Sequence, residues 1–215
     1  MIRLGPGPVG RIVAVGAHCD DLAIGAGGTL LTLCRARPGI RVDVLVLSGG
    51  GGEREAEEAA ALAAFCPDAD LRLTVLKLPD GRFPAHWDEA KAAVEELRAR
   101  TDPDLVLAPR TEDAHQDHRG LARLMTTAFR DHLVLGYEIV KWDADLGRPT
   151  AYQPLSPETA EEKVRLLQAH YPSQRHRPWY DREAFLGLAR IRGIECHERY
   201  AEAFAVGKLT LDLGE

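Results

Sequence analysis

Short apolar runs alternate with stretches of helical spacing from residue 12 to about residue 140. The runs at 12–15, 42–47, 71–78, 105–108 and 133–140 are rich in Val, Ile and Leu and predict strands. Between them, 29–37, 53–65, 87–100 and 119–130 predict helices. Such alternation predicts a Rossmann-like three-layer α/β domain, a mostly parallel sheet with helices on both faces. A length of 215 residues fits one domain. Residues 1–140 would form its core and 141–215 a small C-terminal cap beside the ligand edge. In an open α/β sheet, ligands bind outside the carboxyl ends of the strands. The turns after the apolar runs are therefore where chemistry is to be sought.

Two of those turns carry it. After the first run comes Ala17-His18-Cys19-Asp20-Asp21, followed by Gly25, Gly27 and Gly28. His18 and Asp21 are three apart, so one turn of chain can aim both at one point, with Asp20 free beside them. An imidazole and a carboxylate at that spacing suit a zinc ion with an open position. A spare carboxylate suits a general base for metal-activated water. The competing reading is a helix N-cap with a solvated neighbour. After the run at 105–108 comes Glu112-Asp113-Ala114-His115-Gln116-Asp117-His118, where His115 and His118 are again three apart. Together the two clusters offer three ligands and leave a carboxylate and an imidazole for chemistry.

These residues resemble the motifs of the zinc-dependent de-N-acetylases of the PIG-L/LmbE type. That family's first motif runs Ala/Pro-His-Pro-Asp-Asp with glycines following, and its second runs His-x-Asp-His. Here they read Ala17-His18-Cys19-Asp20-Asp21 and His115-Gln116-Asp117-His118. The resemblance spans nearly the whole chain and takes in Arg54, Leu78-Pro79-Asp80-Gly81 and Ser173-Gln174. Two departures stand out. Cys19 replaces the usual Pro, and apolar Leu22 and Ala23 follow the Asp pair where an acidic residue is common.

The resemblance implies removal of an N-acetyl (N-acyl) group from an amino sugar of the N-acetylglucosamine kind, or from its conjugate. It implies one zinc ion per chain, with another divalent metal as the alternative, held by His18, Asp21 and His118. Asp20 would take the proton of the attacking water and pass it to the leaving amine. A cationic His115 would stabilise the oxyanion, and Asp117 would orient an imidazole. Arg54 and Asp80 would contact substrate hydroxyls. Nothing in composition or spacing says sugar. Two rivals stay open: a metal-dependent phosphoesterase and a non-hydrolytic nucleotide-binding Rossmann domain. Two, one or no bound metal ions per chain would separate phosphoesterase, deacetylase and nucleotide binder.

Gly5-Pro-Gly7-Pro-Val-Gly10 matches G-x-G-x-x-G but precedes its strand, and its prolines remove donors, so it is no dinucleotide fingerprint. Gly25 to Gly28 read as a close-packing element before the helix at 29–37. Ser48 and the four glycines after it read as a loop that adjusts around substrate, or as a plain linker. Arg54 opposes the dipole of the helix it opens.

A net charge of −6 gives no general field for nucleic acid. No apolar run is long enough to span a membrane, and the first residues lack a signal-peptide core, so the expectation is a cytoplasmic protein. A homo-oligomer is left open. Cys34 and Cys66 read as buried thiols, and Cys19 as filler or as a fourth soft ligand, with no disulfide framework among the four cysteines.

In the tail, residues 142–149 form an aromatic, polar loop of the kind that supplies stacking platforms. Residues 158–170 and 181–193 predict helices, and 200–206 with 209–213 an edge strand. Arg175-His176-Arg177, bracketed by Tyr171, Trp179 and Tyr180, is the densest positive charge. It reads either as a surface loop or as a grip for a phosphate- or nucleotide-linked sugar.

Overall fold

The structure is a computed structural model that describes residues 3, 5 and 7–211. Its strands are β1 (Arg11–Gly16), β2 (Arg41–Val46), β3 (Asp70–Val75), β4 (Leu105–Pro109), β5 (Val134–Tyr137), β6 (Ala151–Leu155) and β7 (Tyr200–Val206). They form one sheet in the order β3-β2-β1-β4-β5-β7-β6. The first five are parallel, and β7 lies antiparallel between β5 and β6. The helices are α1 (Asp21–Ala36), α2 (Glu53–Phe65), α3 (Trp87–Arg100), α4 (Gln116–Ala128), α5 (Pro157–His170) and α6 (Arg182–Glu195).

Alternation along β1 builds the two cores. Ile12 and Ala14 face a core with residues of α1, α2, α5 and α6, while Val13 and Val15 face one with α3 and α4. All four side chains are fully buried. Burying a Val or Ile stabilises by about 1.5–3 kcal/mol, so a parallel strand covered on both faces is strongly favoured here. From β1 the chain passes to β2 on one side and later to β4 on the other. The sheet order reverses between β1 and β4, and the crevice outside their carboxyl ends is the ligand site of such a sheet. Both motifs follow these two strands.

Two helices start earlier than their sequence pattern predicts. α1 begins at Asp21, so Gly25, Gly27 and Gly28 lie inside it. Glycine in a helix interior costs about 1 kcal/mol relative to Ala, and packing explains it here. A Cβ on Gly25 would collide with the Tyr137 ring, and one on Gly27 would sit 2.7 Å from Phe65. α4 begins at Gln116 because His115, an unusual cap, accepts the Asp117 N–H on its Nδ1.

The tail does more than cap. It supplies β6 and β7 to the same sheet and α5 and α6 to one face. β6 went unforeseen because Pro154 argues against a strand, and it is tolerated because β6 is the edge. The stretch 200–206, expected at the edge, is paired on both sides. Residues 209–211 are not strand, and 212–213 lie outside the described residues. No helix among the described residues is long and apolar enough to cross a membrane.

The tail also enters α1 itself. The Gly28 and Thr29 N–H groups donate to the Glu202 carboxylate at 2.8 and 2.7 Å. Lys163 Nζ donates to the Ile24 carbonyl and to Glu202, both at 2.6 Å. In an uninterrupted helix the Gly28 N–H would bond to the Ile24 carbonyl. A buried Lys–Glu pair reaches both of these groups.

Candidate metal centre and active site

His18 leaves β1 in a tight turn whose shape Asp21 fixes, its Oδ2 accepting the N–H groups of Ala17 and His18, both at 2.9 Å. His118 lies in the first turn of α4, across the crevice. Three donor atoms converge there. His18 Nδ1 lies 3.1 Å from His118 Nε2 and 3.6 Å from Asp21 Oδ2, and His118 Nε2 lies 3.3 Å from that oxygen. Tetrahedral zinc with bonds of about 2.0–2.1 Å separates its ligands by about 3.3–3.4 Å. The triangle therefore fits one face of such a site in both donor type and size.

The other ring nitrogens are held by carboxylates, so in the neutral imidazoles the nitrogens of the triangle would carry the lone pairs. His18 Nε2 faces Asp80 Oδ1 at 3.0 Å and Asp117 Oδ2 at 3.3 Å, which keeps its proton on Nε2. Asp117 is itself held by the N–H groups of Gly81 (2.8 Å) and Phe83 (3.2 Å). His118 Nδ1 faces Asp113 Oδ1 at 3.2 Å. Asp113 is buried, with Lys141 Nζ at 3.2 Å.

Charge follows geometry. Burial works against a charged His118, but Asp21 and Asp113 outweigh it and push its pKa up to about 9. Burial also opposes charge on His18, and again carboxylates win, raising it well above the ordinary value. Burial would raise Asp21, but the two imidazoles hold it well below the carboxylate range.

Asp20 stands apart from the triangle. Burial pushes its carboxyl up to about 6 against the opposing pull of Arg54, a value suited to a base near neutral pH. Its backbone has φ +101°, unusual for a residue with a side chain. His115 closes the group, its ring centroid 4.6 Å from that of His118 and 4.9 Å from that of His18. Burial, with His118 and His18 nearby, lowers its pKa, which disfavours the cation expected from sequence. Its Nδ1 is an acceptor at the α4 cap, so its proton sits on Nε2, and a neutral His115 is still a donor.

Asp80 keeps 75% of its side chain exposed beside His18. Arg54, its side chain 27% exposed, reaches Asp20 Oδ2 at 3.2 Å, the Cys19 carbonyl, and Ser173 Oγ at 3.2 Å. Cys19 Sγ points at the Ser48 carbonyl at 3.4 Å, and burial pushes the thiol up to about 12. The glycine loop is pinned: a Cβ on Gly49 (φ +108°) would strike Cys19 Sγ at 2.6 Å, and Gly50 N–H donates to the Leu76 carbonyl. Arg175 donates to the Gln168 carbonyl at the end of α5, and Arg177 Nε to Gln174 Oε1 at 2.7 Å. In the tail loop, Trp142 is exposed, while Asp145 anchors that loop to the Ala114 N–H at 2.8 Å.

Sequence reasoning missed Asp113 and Glu58. Asp113 stood in the quoted motif segment, and its spacing to His118 was the available signal. Glu58 lies in an Ala- and Glu-rich helix where nothing marks it from solvated neighbours.

A model of the PIG-L family, described as GlcNAc-PI de-N-acetylase, matches residues 13–129. Among solved structures, the chain is similar to N,N'-diacetylchitobiose deacetylase from Pyrococcus horikoshii (TM-score 0.73, 18% identity, 92% of this chain and 84% of that one). It is similar to a conserved protein from Thermus thermophilus (TM-score 0.73, 25% identity, 96% and 98% covered). It is also similar to GalB, a 4-carboxy-2-hydroxymuconate hydratase from Pseudomonas putida (TM-score 0.73, 18% identity, 95% and 99% covered). At such identities these structures speak for the fold, whereas the family match covers both motifs and more than half of the chain. With that match, the chain belongs to the PIG-L family of de-N-acetylases, hydrolases of amide C–N bonds.

Proposed function

We propose that this protein removes an N-acetyl group from a small amino sugar or sugar conjugate, with zinc held by His18, Asp21 and His118. The observation that carries the reading is the triangle of two imidazole nitrogens and a carboxylate oxygen with edges of 3.1, 3.3 and 3.6 Å. When bound there, the ion would acidify water and polarise the amide carbonyl. Asp20, free of the triangle, takes a proton from the attacking water and returns it to the departing nitrogen. His115 donates its Nε2–H to the oxyanion that develops as the carbonyl is attacked. Asp117 and Asp113 hold the His18 and His118 rings in register. Asp80, exposed at the rim, is available to a sugar hydroxyl.

A neutral sugar is the first substrate to test, since Arg175 is occupied by the end of α5. A phosphate- or nucleotide-linked sugar is the second. The experiment combines metal analysis of the purified protein with amine release from N-acetylglucosamine and its disaccharide, before and after chelation. One zinc per chain and chelator-sensitive amine release support the reading. Two ions with phosphoesterase activity, or amine release that survives complete metal removal, would overturn it.

A further inference from the structure

Two residues of α2, four apart and so on one face of the helix, meet the same peptide unit. Arg54 donates to the Cys19 carbonyl. Glu58 Oε2 accepts the Asp20 N–H at 2.8 Å. That carbonyl and that N–H are the two ends of the peptide joining Cys19 to Asp20. Arg54 also reaches the Asp20 carboxylate at 3.2 Å.

The grip is braced from the tail. Tyr171 donates its hydroxyl to Glu58 Oε2 at 2.7 Å. Glu57, next along α2, accepts the N–H and hydroxyl of Ser173 at 2.8 and 2.5 Å. Ser173 Oγ in turn accepts from Arg54 at 3.2 Å.

Packing alone does not explain Glu58. It is fully buried, and its Oε1 has no hydrogen-bond partner. A buried carboxyl with one unsatisfied oxygen destabilises a fold, and an apolar side chain would be tolerated better. What the carboxyl supplies is an acceptor beneath a residue at φ +101°, a conformation that persists only when its surroundings impose it.

We propose that Arg54 and Glu58 clamp the Cys19–Asp20 peptide and thereby aim the Asp20 carboxylate, so that Glu58 is a positioning residue for the general base. The inference rests on the reading of Asp20 as that base. Glu58 has no path to the substrate and acts through Asp20 alone.

The test is a kinetic cycle on the zinc-loaded enzyme with an N-acetyl sugar. Glu58→Ala is expected to lower kcat about 10- to 100-fold, the scale of a roughly 1 Å misplacement, with KM and bound zinc unchanged. Glu58→Gln, which keeps an acceptor at the same place, is expected to retain kcat within about threefold. In an Asp20→Asn background, Glu58→Ala should then change kcat by less than about twofold, because the group it aims is gone. Tyr171→Phe removes one brace and is expected to lower kcat more mildly. It decides the matter if Glu58→Ala does not fold. Full kcat in both Glu58→Ala and Tyr171→Phe overturns the clamp. So does an equal loss in Glu58→Ala and Glu58→Gln, or an undiminished loss in the Asp20→Asn background. If Asp20→Asn alone keeps full activity, the assignment of the base fails instead, which is a different outcome.

Discussion

Glu58→Gln should change how stability depends on pH. Burial pushes the Glu58 carboxyl from 4.5 up to about 8. Below about pH 4.5 it is protonated in both the folded and the unfolded chain. Between about 4.5 and 8 the unfolded chain has released this proton while the fold retains it. Stability therefore falls with rising pH, by about 1.4 kcal/mol per unit from this group alone. Above about pH 8 both states are ionised, and the accumulated loss levels off near 5 kcal/mol. A Gln at 58 has no proton to lose and mimics the protonated acid in shape. The variant should gain on the wild type as pH rises, by about 4 kcal/mol between about pH 5 and pH 9. Urea unfolding of both proteins across that range, at matched zinc, measures the difference directly. The proposed metal ligands are common to both chains, so the comparison isolates the change at position 58. Parallel stability curves would refute the argument, since they would mean Glu58 titrates alike in the folded and unfolded chain.

Asp20→Asn should keep its zinc and lose about 10²- to 10⁴-fold in kcat, read by metal analysis beside amine release. His18→Ala, Asp21→Ala and His118→Ala should each weaken zinc binding, whereas His115→Ala should keep the metal and lose rate. Loss of metal in His115→Ala with retention in His118→Ala would reverse the two imidazoles. Asp113→Ala should weaken zinc affinity about 10- to 100-fold by releasing the His118 ring, measured by competition with a chelating dye.

The strand–helix alternation and the position of both motifs at one sheet edge could be read directly. Apolar periodicity and short spacings are local, and His18, Asp21 and His118 indeed converge. Contacts between distant residues could not be read. In α2, Glu57 and Glu58 look like a solvated face because nothing local shows that the turn holding Tyr171 and Ser173 will cover them. The glycine pattern places the start of α1 near Thr29, after the close-packing glycines, whereas the Tyr137 and Phe65 rings demand Gly25 and Gly27 inside the helix. Arg54 stands out in the sequence because a cation opposes the dipole at a helix N-terminus. Its partner, the Cys19–Asp20 peptide, depends on the three-dimensional approach of α2 to the first turn.

The Lys163–Glu202 pair that reaches the backbone of α1 has a bearing on how the protein is made. The family match ends at residue 129, yet backbone groups of the helix that begins with Asp21 find their partners at residues 163 and 202. Unpaired buried backbone groups are rarely tolerated. During N-to-C synthesis those groups can pair only with one another or with water until residues 163 and 202 have emerged. The native contacts of the helix next to the first motif are therefore completed only when the last strand has been made. A fragment cut after the second motif would carry every metal ligand but would lack the groups that complete the helix beside them.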